Sequence, residues 1–220
     1  ATAVFCPGTS AATGRALALA ASRRASRLRR SLSRASPASL AYVIPTSGST
    51  GVPKLVSVSH ESASLLLLEW VSCSSSLSVS RTVLSANFSF DISVLLIFSP
   101  LLSGGSVVVP PDVRDIPAIA ALISSFRISH AFFVPTALST IPTTFATSCL
   151  QHVIVGGEAL NLETLRRASA FISCCSTVVN AYGPAETTII STYLPLPDLS
   201  KFNPDHSQSI SIGKALRPHP

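Results

Sequence analysis

Between Thr46 and Lys54 the chain reads Thr-Ser-Gly-Ser-Thr-Gly-Val-Pro-Lys. Gly48 and Gly51 let the backbone approach a ligand closely. Thr46, Ser47, Ser49 and Thr50 supply hydroxyls, and Lys54 supplies a positive charge. Such a loop can cradle a triphosphate, and the same composition suits a Ser/Gly linker. It is not the Walker pattern, because the glycines are too close together and Leu55, not Ser or Thr, follows the lysine. Two carboxylates also stand at marked positions. Asp91 precedes an apolar run and reads as a helix N-cap. Glu186 follows Gly183-Pro184 and reads, taken alone, as a surface acid after a turn. The five cysteines (6, 73, 149, 174, 175) contain no CxxC spacing, which argues against a zinc site or a disulfide framework. They read as reduced thiols of a cytoplasmic core.

The elements that must hold these groups alternate. Leu40–Ile44 predicts a buried strand ahead of the loop, and Val56 and Val58 a second strand after it. A helix fits His60–Cys73, capped by Ser59. Further strands are predicted at 82–86, 106–109, 131–134, 153–155, 177–182 and 188–193. Helices are predicted at 91–102, which Pro100 must bend or end, at 116–126, and from a cap at Asn161 to about Phe171. Strands separated by helices of this length imply an α/β fold with a mostly parallel sheet and flanking helices.

Composition sets the outer limits. The chain has 220 residues, 47% hydrophobic and 12% charged, enough to bury a sizeable core. The longest apolar stretch, Val94 to Val109, is broken by Pro100, Gly104 and Gly105, whereas a spanning helix needs about 20 apolar residues. No membrane partner is expected. The net charge of +6 comes from residues 1–39, which hold seven arginines and no acid. That Ala/Ser/Arg-rich segment reads as a low-complexity extension, the other reading being a basic arm for RNA or anionic membrane. The remainder is near neutral, so no nucleic-acid partner is expected for it. Arginines interrupt the Ala-rich start, so no signal-peptide core is present there. Residues 40–220 are read as the folded core.

Five segments in order carry a resemblance. They are the Thr46–Lys54 loop; Phe90-Asp-Ile-Ser-Val94 with Ile97-Phe98 and Leu102-Ser-Gly104; Gly156-Gly-Glu-Ala-Leu160; Asn180-Ala-Tyr-Gly-Pro-Ala-Glu-Thr-Thr188; and Ile212-Gly-Lys214. Together they resemble the adenylation domains of nonribosomal peptide synthetases, members of the adenylate-forming (AMP-binding) superfamily. The resemblance covers about residues 40 to 217. It implies part of the large N-terminal subdomain of such an enzyme, and ATP-dependent activation of an amino acid as its adenylate. The product would then load a phosphopantetheinyl carrier domain, as in secondary metabolism.

Residue by residue, the resemblance implies that Thr46, Ser47, Gly48, Ser49, Thr50, Gly51 and Lys54 surround the phosphates. Tyr182 would stack on adenine, with Gly157, Glu158, Asn180 and Gly183 along the same pocket. Asp91 would hold the substrate ammonium, which separates amino-acid from acyl-CoA-forming relatives. Lys54 and Glu186 would act in catalysis, Glu186 by binding Mg²⁺. Ile92, Leu95, Phe132, Ile154, Gly156, Ala181, Ile189 and Ile190 would line the side-chain pocket. Apart from the glycine these are apolar, so an apolar amino acid is the expected substrate.

Three positions depart from the family's pattern: Pro45 replaces a large residue, Leu55 a glycine, and Ala185 a threonine facing the α-phosphate. The last removes a hydrogen bond to a charged group, worth about 1.5–3 kcal/mol. The family's ribose-binding aspartate and C-terminal catalytic lysine are expected beyond Pro220. That raises the alternative of a non-catalytic remnant.

Overall fold

The computed structural model describes residues 3–5, 36–47, 51–73, 80–142, 149–173, 175–196 and 210–216. Of the site residues expected from sequence, Gly48, Ser49 and Thr50 lie outside these. So does most of the 1–39 segment.

A large mixed sheet organises the chain. Its strands are β1 (Ala3–Phe5), β4 (Arg81–Val83), β5 (Ser106–Val108), β6 (His130–Phe133), β7 (His152–Gly156), β8 (Thr177–Tyr182), β9 (Thr192–Leu196) and β10 (Lys214–Ala215). The spatial order is β1-β5-β4-β6-β7-β8-β9-β10. Pairing is parallel from β1 through β8, then antiparallel through β9 and β10. The α/β, mostly parallel reading therefore holds. β1 comes from the segment read as an extension, and its backbone pairs with β5.

Alternation along the strands sends side chains to two cores. From β6 and β7, Ala131, Phe133, Val153 and Val155 enter one core. It also contains Ile119 and Ile123 of α3 (Ile116–Ser125), Leu165 of α5 (Leu162–Arg167) and Phe171 of α6 (Ser169–Ile172). Phe133 and Phe171 meet edge to face, with centroids 5.9 Å apart. From the same strands Phe132 and Ile154 enter the other core. There they meet Leu67 and Trp70 of α1 (His60–Cys73), and Leu95 and Leu96 of α2 (Ile92–Leu102). Burial on both faces is what a parallel sheet with crossover helices requires.

Four local expectations change. Pro100 does not end α2. It lies in the last turn, where a missing N–H affects one bond only, and the helix runs on to Leu102. The helix capped by Asn161 breaks at Ala168 into α5 and α6, although the cap itself forms: Thr164 N–H donates to Asn161 Oδ1 at 2.9 Å. The strand expected at 188–193 begins at Thr192. Ahead of it lie a 3-10 turn (Ala185–Thr187) and the left-handed residues Thr188 and Ile189, at φ 66° and 64°. Two positive φ values in succession are incompatible with a strand. Finally, β2 (Leu40–Thr46) and β3 (Lys54–Ser59) form a separate antiparallel hairpin rather than joining the large sheet.

That hairpin explains two departures from the family's pattern. Pro45 and Leu55 are direct partners across it, and both are exposed. They share its outer side with exposed Val43, whereas Tyr42, Ile44 and Val58 face inward. Proline is tolerated because this is a two-stranded sheet, whose strands each have a free edge.

Candidate functional site

The parallel strands end at a common edge, and the residues just past them enclose a cavity of about 520 Å³. Ser85, Ala86 and Asn87 come from beyond β4, and Val134 and Ala137 from beyond β6. Gly157 and Glu158 follow β7, and Gly183 follows β8. This is the carboxyl edge of an open α/β sheet, where ligands of such folds bind. The sequence reading missed the residues after β4 and β6. They carry no recognisable motif, and only their position after strands marks them.

Six of the eight expected side-chain-pocket residues line this cavity: Ile92, Phe132, Gly156, Ala181, Ile189 and Ile190. Leu95 and Ile154 do not. They are buried behind it, on a separate cavity of about 40 Å³ shared with Trp70, His130 and His152. Phe132 closes over Gly156: a Cβ at Gly156 would lie 3.5 Å from the Phe132 ring and 2.5 Å from the Ala181 carbonyl oxygen.

Asp91 stands at the cavity wall, and it is not the helix cap that its position suggested. Its backbone is already helical, at φ −64° and ψ −26°, and its side chain makes no capping bond. Oδ2 is buried with no hydrogen-bond partner. Burial raises the Asp91 pKa above the ordinary carboxylate value. The N–H groups of Ile92, Ile189 and Asp91 itself oppose the rise, and the negative charge of Glu186 adds to it. The site thus holds a desolvated carboxylate with one bare oxygen. Tyr42 lies in the same neighbourhood. Its hydroxyl is also buried without a partner, and burial first, then Asp91, pushes its pKa up to about 12.

A second cavity, of about 720 Å³, adjoins the first. Gly157, Glu158, Ala181 and Gly183 line both. Tyr182 and Asn180 line only the second, with Pro184 and Ile212 among its other walls. Tyr182 is 49% exposed, so its ring face is available. Asn180 is buried, and its Nδ2 donates to the Ser211 carbonyl at 2.8 Å, which leaves Oδ1 as its acceptor. Both carboxylate oxygens of Glu158 are engaged by Thr136, at 3.1 Å from its N–H and 2.9 Å from its hydroxyl.

Lys54 opens β3 opposite Thr46, and the Thr46 hydroxyl donates to the Lys54 carbonyl at 3.4 Å. The lysine and Ser47 are exposed, and Gly51 takes φ 78° at the loop's return. β3 packs against the 3-10 turn that carries exposed Glu186. The hairpin, Glu186 and Asp91 thus cluster at one edge. No group of three or more potential metal ligands occurs among the described residues. None of the described helices is long and apolar enough to cross a membrane.

With this geometry in place, comparison with known proteins gives a consistent result. The model of a family described as AMP-binding enzyme matches residues 7–219, and the chain belongs to that family. Tyrocidine synthase 3 of Brevibacillus parabrevis is 38% identical over 183 residues, covering 80% of this chain and 3% of that protein. Cyclosporin synthetase of Tolypocladium inflatum is 36% identical over 196 residues, covering 86% and 1% respectively. The Vibrio cholerae adenylation domain AlmE, solved with glycyl-adenosine-5'-phosphate, superposes with a TM-score of 0.70 at 26% identity. That match covers 83% of this chain and 34% of that one. The chain therefore spans a small part of the relatives it matches.

Proposed function

We propose that this chain forms the amino-acid- and nucleotide-binding core of an adenylation domain of the nonribosomal peptide synthetase type. The observation that carries the reading is the bare, buried Oδ2 of Asp91 on the wall of an apolar cavity. An unpaired buried carboxylate is costly, and an ammonium group entering the cavity would supply the missing partner. A fatty acid offers no such group. Ile92, Phe132, Ala181, Ile189 and Ile190 would receive the amino-acid side chain. The other charged groups on the same cavity are already occupied, Arg114 by Asp112 and Glu158 by Thr136. An apolar side chain fits best, because a charged one would be buried without a partner.

The adjoining cavity suits the nucleotide. Tyr182 offers a ring face for adenine, Asn180 Oδ1 an acceptor for an exocyclic amine, and Gly157 and Gly183 allow close backbone approach. The Thr46–Lys54 loop would take the phosphates, with the Lys54 ammonium opposing their charge. The amino-acid carboxylate oxygen attacks the α-phosphorus, forming a new P–O bond while the α–β bridge breaks and pyrophosphate leaves. The chain's part is to hold the two reactants in line. Glu186 fits Mg²⁺, which takes one or two carboxylates plus substrate phosphates and keeps waters elsewhere. When bound, the ion neutralises phosphate charge. A carrier-domain thiol is the proposed acceptor of the aminoacyl group, forming a C–S bond as the acyl–O bond of the adenylate breaks and AMP leaves, and the ATP-rich cytoplasm is the proposed setting.

The test is calorimetric titration of the chain with a leucyl- or phenylalanyl-sulfamoyl-adenosine and with its desamino counterpart. A preference of about tenfold or more for the amine is expected, the worth of one charge-assisted bond. Equal binding of both, or binding of neither, overturns the proposal.

A further inference from the structure

We infer that the Glu158 carboxylate is a positioning latch on Thr136, holding the wall that the two cavities share, and does not itself contact nucleotide. The inference rests on reading those cavities as amino-acid and nucleotide subsites.

The loop after β7 lines both cavities, so its placement affects both ligands. It lies on the segment after β6. Gly157 has φ 84°, and a Cβ there would come within 3.3 Å of Val134 Cγ1, so the loop has little room to shift toward that segment. One residue on, Glu158 Oε2 accepts from the Thr136 N–H and Oε1 from the Thr136 hydroxyl. Thr136 lies in the first turn of α4 (Pro135–Leu138), whose N–H groups lack partners within the helix. A bidentate carboxylate satisfies that donor and suits the positive end of the turn. The next residue, Ala137, is itself a wall of the amino-acid cavity. The latch therefore ties a wall of one subsite to the loop beneath the other. With both oxygens accepting from Thr136, the carboxylate is held toward α4.

The test uses Thr136→Val, which removes the hydroxyl donor and keeps the N–H; Glu158→Gln, which keeps the shape but replaces two charged acceptors by a neutral amide; and the double variant. Thr136→Ser is the rescue control. Two quantities are read on the full chain: amide hydrogen exchange at 135–138 and 157–160, and affinity for AMP and for phenylalanyl-sulfamoyl-adenosine. Each single variant should speed exchange in both segments and weaken both ligands by about 3- to 10-fold, the net worth of one solvent-exposed hydrogen bond. The double variant should be no worse than the poorer single, because the two residues act as one unit. Thr136→Ser should behave as the parent. If Glu158→Gln weakens AMP binding while Thr136→Val changes neither exchange nor affinity, Glu158 acts on the ligand directly and the latch is wrong. If no variant changes exchange, the latch is also wrong. If the parent chain binds neither ligand, the adenylation reading fails, and the exchange measurements still decide the latch.

Discussion

The imidazoles of His130 and His152 lie stacked on adjacent parallel strands, with ring centroids 4.7 Å apart and planes within 20°. They are register partners of β6 and β7, so strand pairing itself brings them together. His130 is 6% exposed, its Nδ1 lies 2.9 Å from the Ser129 hydroxyl, and its Nε2 has no partner. Burial, and secondarily His152, lowers the His130 pKa to about 3; burial also lowers that of His152.

This pair predicts acid sensitivity. Both histidines have depressed values in the fold, so the unfolded chain takes up protons first as pH falls. Their contribution to stability is fully present above about pH 6.5 and declines below it, by up to about 1.4 kcal/mol per pH unit for buried His130 and by less for the partly exposed His152. For His130 the decline continues to about pH 3. Urea unfolding at pH 7.5 and 5.5 checks this, and His130→Phe should flatten the difference. An unchanged midpoint in the parent chain would show that the pair is not buried in solution.

Asp91→Asn should separate binding from stability. The raised pKa means that the charged carboxylate disfavours the fold at neutral pH, and that this burden is absent below the unfolded value. Asparagine removes the charge and keeps the shape. Thermal unfolding at pH 7 should be unchanged or higher. Affinity for an aminoacyl-sulfamoyl-adenosine should fall by about 100-fold or more, since removing one partner of a buried ion pair costs about 3–5 kcal/mol. A drop in melting temperature together with retained affinity would remove Asp91 from the ammonium role.

Gly156→Ala should be destabilising. The new Cβ would meet the Ala181 carbonyl of the neighbouring strand at 2.5 Å, a backbone atom that cannot swing away. Overpacking of this kind costs about 1–3 kcal/mol. Because Phe132 and Ala181 both line the amino-acid cavity, adenylate binding should weaken as well. Denaturant unfolding and calorimetry read the two effects, and a neutral outcome in both would mean that β7 and β8 are farther apart than described.

Thr188→Gly should be tolerated or stabilising. Threonine at φ 66° is disfavoured by about 1–2 kcal/mol relative to glycine, part of which glycine's greater freedom in the unfolded chain takes back. The turn has other supports: Ile190 N–H donates to the Thr188 carbonyl at 2.8 Å, and Ser191 N–H to the Tyr182 carbonyl at 2.8 Å. A gain of up to about 1 kcal/mol in urea unfolding is expected. A loss of more than that would show that the Thr188 side chain, not its backbone, holds the turn.

Much of this protein follows from local sequence. Short apolar runs bounded by turn residues mark most of the strands, because run length and chain breakers can be read without knowledge of neighbours. Asn161 announces its cap by residue type, and the ordered motifs point to Asp91, Tyr182 and Glu186. Other features depend on what each segment meets in space. Asp91 reads as a cap, and its bare oxygen becomes visible only once burial is known. Thr188 to Tyr193 has strand composition, yet the need to bring the Ile189 N–H toward Asp91 and the close packing of Gly183 against Ile189 and Ile190 bend its first residues into left-handed geometry. Leu95 and Ile154 are as apolar as Ile92 and Phe132. Only where each residue sits along its helix or strand relative to the cavity separates the two pairs, a position that hydropathy does not encode. Glu158 and Thr136 are 22 positions apart, and nothing in either segment names the other. Their pairing is a consequence of β6 and β7 running side by side in parallel, which places the ends of both strands, and the loops that leave them, at the same edge of the sheet.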